Sequence, residues 1–235
     1  SAQQTVLYRD AEADFSNLVK EYEQGLYGRC IRSADKYKTV YKEPVFEQFA
    51  LEAELYKLKA GLNIGNPNII NQVFAFAESF KSDAVSEKAV LLIGEDAYDR
   101  KEYEEAVKYL SMVDGSALQP EEQSALNFKL GYVLFVRKEF ERAATLFNMG
   151  REVRDKYYYP ANYYYGMTQY FAGNYPEAVR SFERVAPSSF YKDYIPYYIT
   201  QIYFSTKDYS RVIGYCNQAI NKPTVLNKTE RRQLI

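Results

Sequence analysis

The amino-acid sequence predicts an all-α protein, built as a solenoid of antiparallel helix pairs. A short motif recurs along the chain at intervals of 37, 35 and 34 residues. Apolar residues on both sides of each copy recur at three- and four-residue spacing, which is the period of an amphipathic helix. Prolines fall between the copies or at expected helix starts, and no stretch shows the alternating pattern of a strand. The sequence therefore predicts helices only.

Each copy of the motif is predicted to form the turn between two helices. Nine residues before its aromatic residue lies a small residue, and three residues after it lies a second small or short side chain. A bulky residue follows four positions later, and the small columns let the two helix axes approach closely. The four clear copies are RKEYEEA at 100–106, RKEFERA at 137–143, AGNYPEA at 172–178 and TKDYSRV at 206–212. The small residue before the turn is Gly94, Gly131, Gly166 or Thr200, and the bulky residue is Leu110, Phe147, Phe182 or Cys216.

Two weaker copies precede the clear ones and bring the predicted count to six units. They are GLYGRC at 25–30 and GNPNII at 65–70. The predicted organisation is an N-terminal extension over residues 1–9, a single solenoid over 10–223 and the start of a further, truncated helix over 224–235. We expect the native gene product to continue beyond this point, and the exposed ends of the solenoid to be capable of self-association.

The pattern small–x8–aromatic–x2–small–x3–bulky, at a period near 34 residues, resembles the tetratricopeptide repeat (TPR). The resemblance extends over residues 10–223, with one departure: the large aromatic that often opens the first helix is replaced in the clear copies. The resemblance implies a right-handed superhelix whose first helices line a concave groove. Such grooves hold an extended peptide or a partner helix and carry out no chemistry. The replacing residues are Val90, Asn127, Asn162 and Pro196.

The resemblance places the groove in two columns, three residues before and four residues after the small residue. These positions are seven apart, two helical turns, so they share a face. The alternative explanation for aromatic residues here is packing between units alone, but an exposed apolar band of this length would mark an interaction site. The predicted binding residues are Leu91 and Tyr98, Phe128 and Phe135, Tyr163 and Tyr170, and Tyr197 and Phe204, flanked by Tyr132, Met167, Phe171 and Tyr194. The weaker copies place Phe15 with Tyr22, and Leu55 with Leu62, in the same columns.

Eight tyrosines occur between positions 156 and 178. Three consecutive residues on a helix span about 200°, so neighbouring tyrosines cannot all face one ligand. We predict that Tyr163 faces the groove, that Tyr165 packs inward and that Tyr164 points elsewhere. Residues 157–159 are predicted to lie in the connection between units. Most of this cluster is therefore expected to be repeat architecture.

Composition argues against catalysis and against nucleic-acid binding. Thirty basic and thirty-one acidic residues give a net charge of -1, with no long block of one sign. Histidine is absent, which removes the usual general base and the commonest metal ligand. The glycines form no phosphate-binding loop. We therefore predict no enzymatic activity, no catalytic residue, no metal and no cofactor.

No apolar run reaches the roughly 18–20 residues that a membrane-spanning helix needs. The first residues, Ser-Ala-Gln-Gln, suit the end left by signal-peptide cleavage, and they suit an expression scar nearly as well. The predicted location is periplasmic or otherwise exported, with a cytoplasmic location as the alternative. Cys30 and Cys216 lie in the first and last units, too far apart for a disulfide or a shared metal, so we predict buried free thiols.

Two function classes stay open. The first is a protein–protein interaction scaffold that holds an extended peptide or a partner helix, and the second is a glycan-binding protein that stacks sugars on groove tyrosines. Sugar platforms favour tryptophan, and this chain has none, which favours the scaffold. Lys88 is the only cation that the register places in the groove of the clear copies. The sequence therefore predicts apolar recognition, not recognition of a C-terminal carboxylate.

Overall fold

The computed structural model describes residues 2–81 and 83–221, and in these residues it contains helices and no strand. The chain forms two compact units, residues 1–118 and 119–235. Each unit contains three consecutive helix pairs, and the two helices of every pair pack on each other. This confirms the predicted all-α fold of antiparallel helix pairs. No helix in the described part of the chain is long and apolar enough to cross a membrane.

The first unit consists of six α-helices and two short 3-10 turns. Asp83 caps the fifth helix, because its carboxylate accepts a hydrogen bond from the Val85 backbone N–H at 2.9 Å. Proline opens the 3-10 turn at Pro44–Phe46, between the first and second pairs, where the sequence predicted a boundary. The helices are α1 (Ala2–Glu23), α2 (Tyr27–Val40), α3 (Glu47–Asn63), α4 (Ile69–Ser79), α5 (Ala84–Asp99) and α6 (Tyr103–Leu110).

Between residues 119 and 221, the second unit contains six further α-helices. Proline occupies the first turns of α7, α10 and α11, where a missing N–H costs no helical hydrogen bond. Asn162 is fully buried, and its side-chain amide donates to the carbonyls of Arg151 and Tyr158, both at 2.8 Å. It thereby ties α9 to the end of the preceding helix. The helices are α7 (Pro120–Val136), α8 (Phe140–Gly150), α9 (Tyr158–Phe171), α10 (Tyr175–Val185), α11 (Ile195–Ser205) and α12 (Tyr209–Asn221).

The six turns inside the pairs share one backbone geometry. Two residues before the turn aromatic, or its equivalent Pro67, the backbone is left-handed. At each turn the N–H of the next residue reaches the carbonyl five positions back; Glu139 to Leu134, at 2.9 Å, is one example. This is the Schellman closure of a helix. Because all six turns share it, the weaker motifs lie in the same register as the clear ones. The left-handed residues are Gly25, Gly65, Lys101, Lys138, Gly173 and Lys207.

The small and bulky columns meet inside the pairs, as the sequence predicted. A Cβ atom added to Gly166 would lie 2.8 Å from the Phe182 ring, and one added to Gly131 would lie 2.9 Å from the Phe147 ring. Both rings are fully buried. The glycines are therefore required for the close approach of the first and second helices.

Three features of the sequence prediction are compared with these helices. Residues 158 and 159 were expected in a connection, but α9 begins at Tyr158 and Pro160 is its third residue. Proline is tolerated there because the first-turn N–H groups have no helical partner. Residues 2–9 lie within α1, and the predicted boundary at residue 9 stays a prediction. The truncated helix predicted over 224–235 lies outside the described residues.

Candidate functional site

The twelve predicted binding residues fall into three groups by exposure. Leu91, Phe128 and Met167 are buried. Phe171, Tyr194 and Phe204 are exposed, at 51%, 49% and 61% of their full surface. The others are half-buried: Tyr98, Tyr132, Phe135, Tyr163, Tyr170 and Tyr197.

The two predicted groove columns receive aromatic rings from the following helix pair. Each first helix has one small residue, and two residues on the same helix lie three positions before it and four positions after it. We call these two residues the receiving pair of that helix. We call the two rings from the next helix pair, which are seven residues apart, the inserted pair. The same arrangement occurs once in the first unit and twice in the second.

On α7, the receiving pair is Phe128 and Phe135, and the inserted pair is Tyr157 and Tyr164. Tyr157 stacks on Phe128 with ring centroids 5.0 Å apart. Tyr164 lies 6.2 Å from Phe128 and 5.1 Å from Phe135, and it stacks on the buried Phe147 ring at 5.8 Å. Tyr164 therefore packs back onto the preceding helix pair.

On α9, the receiving pair is Tyr163 and Tyr170, and the inserted pair is Tyr191 and Tyr198. Tyr191 stacks on Tyr163 with centroids 4.6 Å apart and ring planes 23° apart. Tyr198 lies 6.3 Å from Tyr163 and 6.1 Å from Tyr170, and it stacks on Phe182 at 5.5 Å. The geometry repeats that of α7.

On α1, Phe15 and Tyr22 receive Phe49 and Tyr56 from the second pair. Phe49 lies 5.4 Å from Phe15, and Tyr56 lies 6.1 Å from Phe15 and 5.5 Å from Tyr22. Packing between consecutive helix pairs is therefore a main role of the aromatic residues in the two predicted groove columns. The sequence reasoning missed the inserted pairs. Helical spacing was an available signal only for Phe49 and Tyr56, which both lie on α3, because Tyr157 and Tyr191 precede the helices that contain their partners.

Of the predicted binding residues, those that stay exposed lie on the first helices of the second unit or directly before them. Phe171 stacks on Phe140 at 5.0 Å and lies 6.2 Å from Phe135. On the last described pair, Tyr194 lies directly before α11, and Tyr197 and Phe204 follow it on α11 at intervals of three and seven residues, so the three rings lie on one side of this helix. We define the aromatic surface as the exposed rings of Phe171, Tyr194 and Phe204 together with the half-buried rings of Tyr132, Phe135, Tyr170 and Tyr197.

The aromatic surface is uncharged. Burial, reinforced by neighbouring phenol groups, raises the pKa of Tyr170 and of the adjacent Tyr163, so both stay neutral at ordinary pH. Lys88, the one cation predicted for the groove, lies in the first unit, and its ammonium is 3.3 Å from the Glu52 carboxylate. The surface therefore offers ring faces and phenol hydroxyls to a ligand.

The other polar features of the described residues lie elsewhere. Arg151 forms an ion pair with Glu177 at 3.1 Å, and its guanidinium lies 4.1 Å from the Tyr165 ring centre, so this network joins the helices of the second unit.

A pocket of about 530 Å³ opens between α10, α11 and the start of α12, beside Tyr203 and Arg211. Within the described part of the chain, no group of three or more acidic, cysteine or histidine side chains could hold a metal ion.

Both cysteines are free and buried, which confirms the prediction for the two thiols. Burial raises the pKa of the Cys30 thiol to about 11. A thiol with this pKa is protonated at ordinary pH and is a poor nucleophile. Cys30 is therefore a packing residue, in keeping with its place in the small-residue column.

No protein-family model matches the chain, and no curated protein matches it. The consecutive helix pairs define a TPR-like helical-repeat fold. A solved structure of PilF from Pseudomonas aeruginosa, a TPR-containing protein, has a similar fold. The likeness has a TM-score of 0.61, covers 95% of each chain and comes with 15% sequence identity. At that identity it establishes the fold alone, and it gives the glycan alternative no support.

Proposed function

We propose that this chain is a non-catalytic scaffold of about six TPR-like units that binds a protein partner. The partner, an extended peptide or a helix, lies against the aromatic surface of the second unit. The observation that carries the proposal is the exposure of three large rings: Phe171 and Phe204 on first helices, and Tyr194 directly before one. Exposed apolar rings beside half-buried ones are typical of binding surfaces, where aromatic residues supply most of the binding free energy.

The chemistry of the surface favours an apolar ligand. Two of its three exposed rings are phenylalanines, which offer no hydrogen bond to a sugar hydroxyl. No cation of the second unit lies in the predicted columns, so a C-terminal carboxylate would find no charged partner there. We therefore expect apolar side chains of the partner to supply most of the affinity.

A peptide library screened against the full chain tests the proposal. Selected peptides are measured by calorimetry with the parent protein, with Phe171→Ala and with the control Met149→Ala. Met149 is 63% exposed on α8, a second helix, and lies outside the aromatic surface. We expect Phe171→Ala to weaken binding about tenfold, which is 1.4 kcal/mol, and Met149→Ala to change it less than about twofold. Amidation of the peptide C-terminus should have no effect.

Three results would contradict the proposal. The first is an affinity that depends on a free C-terminal carboxylate of the peptide and is unchanged by Tyr170→Ala. The second is a set of selected peptides whose affinity is unchanged by Phe171→Ala. The third is binding on a glycan array that the Phe171→Ala change abolishes, which would assign the same surface to sugars.

The exported, periplasmic location expected from the sequence stays a proposal, with a cytoplasmic location as the alternative. Fractionation of the native host, followed by detection with an antibody, distinguishes this location from a cytoplasmic one. Recovery in the cytoplasmic fraction alone would refute it.

A further inference from the structure

The pocket of about 530 Å³ in the second unit lies between the fifth helix pair, α9 and α10, and the sixth, α11 and α12. Its volume is within the range of about 300–1,000 Å³ that is typical of small-molecule sites. Tyr175, Val179 and Glu183 of α10 form one wall, and Ile202 and Tyr203 of α11 lie in the facing wall. No residue of the aromatic surface lines the pocket, so it is a separate candidate site.

The walls of this pocket belong to the junction between two consecutive helix pairs. All of the lining residues lie between positions 175 and 211. A further pair, stacked on the sixth as the sixth stacks on the fifth, would pack on the other side of α11 and α12. The pocket is therefore a feature of this junction and not of the end of the described chain.

An arginine bridges the preceding junction, which joins the fourth pair, α7 and α8, to the fifth. Arg151 donates to the Asn148 side-chain oxygen at 2.9 Å and forms an ion pair with Glu177 at 3.1 Å. Its guanidinium also lies 4.1 Å from the centre of the Tyr165 ring. This junction therefore holds a guanidinium group between a carboxylate, an amide oxygen and a tyrosine ring.

The same three positions carry different residues at the pocket. Counted from the turn aromatic residue, Arg151 corresponds to Ala186, and each of them directly follows its second helix. Alanine has no side chain that can cross the junction, so no arginine enters this space from the end of α10. At the other two positions, Glu183 corresponds to Asn148 and Arg211 corresponds to Glu177.

The charges at the pocket leave one carboxylate without a counter-ion. Arg211 already pairs with Asp208 at 3.3 Å, and its guanidinium lies 5.3 Å from the centre of the Tyr203 ring. Among the described residues, none forms an ion pair or a hydrogen bond with the Glu183 carboxylate. Burial, reinforced by the charge of Glu183, raises the pKa of Tyr215 to about 12, so this carboxylate lies on the side that faces α12. The pocket therefore has an excess of negative charge.

We propose that this pocket binds a guanidinium group carried on an apolar stem. Glu183 is its counter-ion, the Tyr175 ring offers a face to the cation, and Val179 and Ile202 contact the stem. A tyrosine ring attracts a cation through its quadrupole, and a planar guanidinium also stacks on the ring. The ligand is an arginine side chain of a peptide or a small guanidinium compound. This inference goes beyond the proposed scaffold function, which concerns a different surface.

The probe for this proposal is Nα-acetylarginine methylamide. Its control is the citrulline analogue, in which a neutral urea replaces the guanidinium group. Binding to the full chain is measured from amide chemical shifts during titration with the probe. The protein variants are Glu183→Gln, Ala186→Arg and the matched control Glu121→Gln, which changes an exposed carboxylate in the first turn of α7. Circular dichroism checks that each variant is folded.

We expect saturable shifts of the Glu183 and Tyr203 amides with the arginine probe and none with the citrulline analogue. Glu183→Gln should weaken binding about three- to fivefold, and Glu121→Gln less than about 1.5-fold, because a partly exposed ion pair contributes a factor of this size. Ala186→Arg should weaken binding at least as much as Glu183→Gln, since the new guanidinium takes the place that Arg151 has in the preceding junction.

Equal binding of the two probes, an affinity that Glu183→Gln or Ala186→Arg leaves unchanged, or absence of saturable binding would overturn the proposal. Competition with library-selected peptides that contain one arginine distinguishes the two sources of the ligand. Displacement of the bound probe would assign the pocket to an arginine side chain, and bound probe that such peptides do not displace would assign it to a small guanidinium compound. Either of these two results supports the proposal.

Discussion

Gly166 is the position at which the packing of a helix pair can be tested with a single methyl group. A Cβ atom added there would lie 2.8 and 2.9 Å from two carbons of the Phe182 ring and 3.2 Å from the Ser181 Cβ. The ring is fully buried and stacks on Tyr198 at 5.5 Å, so it has no free space into which it can swing. The Gly166→Ala substitution therefore forces α9 and α10 apart.

The expected magnitude follows from two opposed terms. Overpacking a core costs about 1–3 kcal/mol, and replacing a helical glycine by alanine returns about 0.8–1.0 kcal/mol through helix propensity. Gly214 on α12 is the matched control, since a Cβ atom there would meet nothing within 4 Å. Gly214→Ala should gain only the propensity term, so the two variants should differ by about 1–3 kcal/mol in free energy of unfolding.

Thermal unfolding followed by circular dichroism measures the difference. For a chain of this size 1 kcal/mol moves Tm by about 2–4 °C, so the two variants should be separated by about 2–12 °C, with Gly214→Ala the more stable. Hydrogen exchange should place the loss of protection in α9 and α10. Equal Tm values for the two variants would refute the assigned contact between the small and bulky columns.

Further predictions address the turns, the second small column and the buried thiol. Lys138→Gly should raise stability by about 0.5–1 kcal/mol, because it relieves a left-handed lysine, and Gly173→Ala should lower it by about 1 kcal/mol; reversed signs in urea unfolding would contradict the turn geometry. Ala143→Leu and Ala178→Leu replace fully buried side chains and should each lower stability by about 1–3 kcal/mol, which unchanged melting curves would disprove. The pKa of Cys30 is raised from 9.0 to about 11, so the stability that its protonated form provides is full below about pH 9 and lost as pH rises to about 11. Tm should fall across that range, and iodoacetamide should label this thiol at pH 8 only after unfolding.

The register of the fold could be predicted from the sequence because each column has a distinct residue type. The turn aromatic, the glycine column and the bulky column recur at fixed offsets, and the structure joins Gly131 to Phe147 and Gly166 to Phe182 as expected. The start of α9 was predicted wrongly because Pro160 reads as a boundary, although proline is also accepted in a first helical turn.

The surface could be predicted only in part, since tyrosine serves both as an inserted and as a receiving residue. Neighbouring positions on a helix differ by about 100°, so Tyr163 receives a ring while Tyr164 is itself inserted. Tyr191 lies in the connection before α11, outside any helical periodicity, yet it stacks on Tyr163. Whether an aromatic residue in a groove column is exposed depends on whether the following helix pair places a ring on it. That contact is part of the tertiary structure and cannot be inferred from the periodicity of one helix.

Hydroxyl-radical footprinting of the full chain with a library-selected peptide tests the central claim most directly, because it reports which side chains the partner covers. The account predicts that Phe171, Tyr194 and Phe204 lose reactivity when the peptide binds, while Met149 and Ile213 on second helices keep theirs. Protection of Met149 or Ile213 with unchanged reactivity at Phe171 and Phe204 would show that the partner binds a different face and would contradict it.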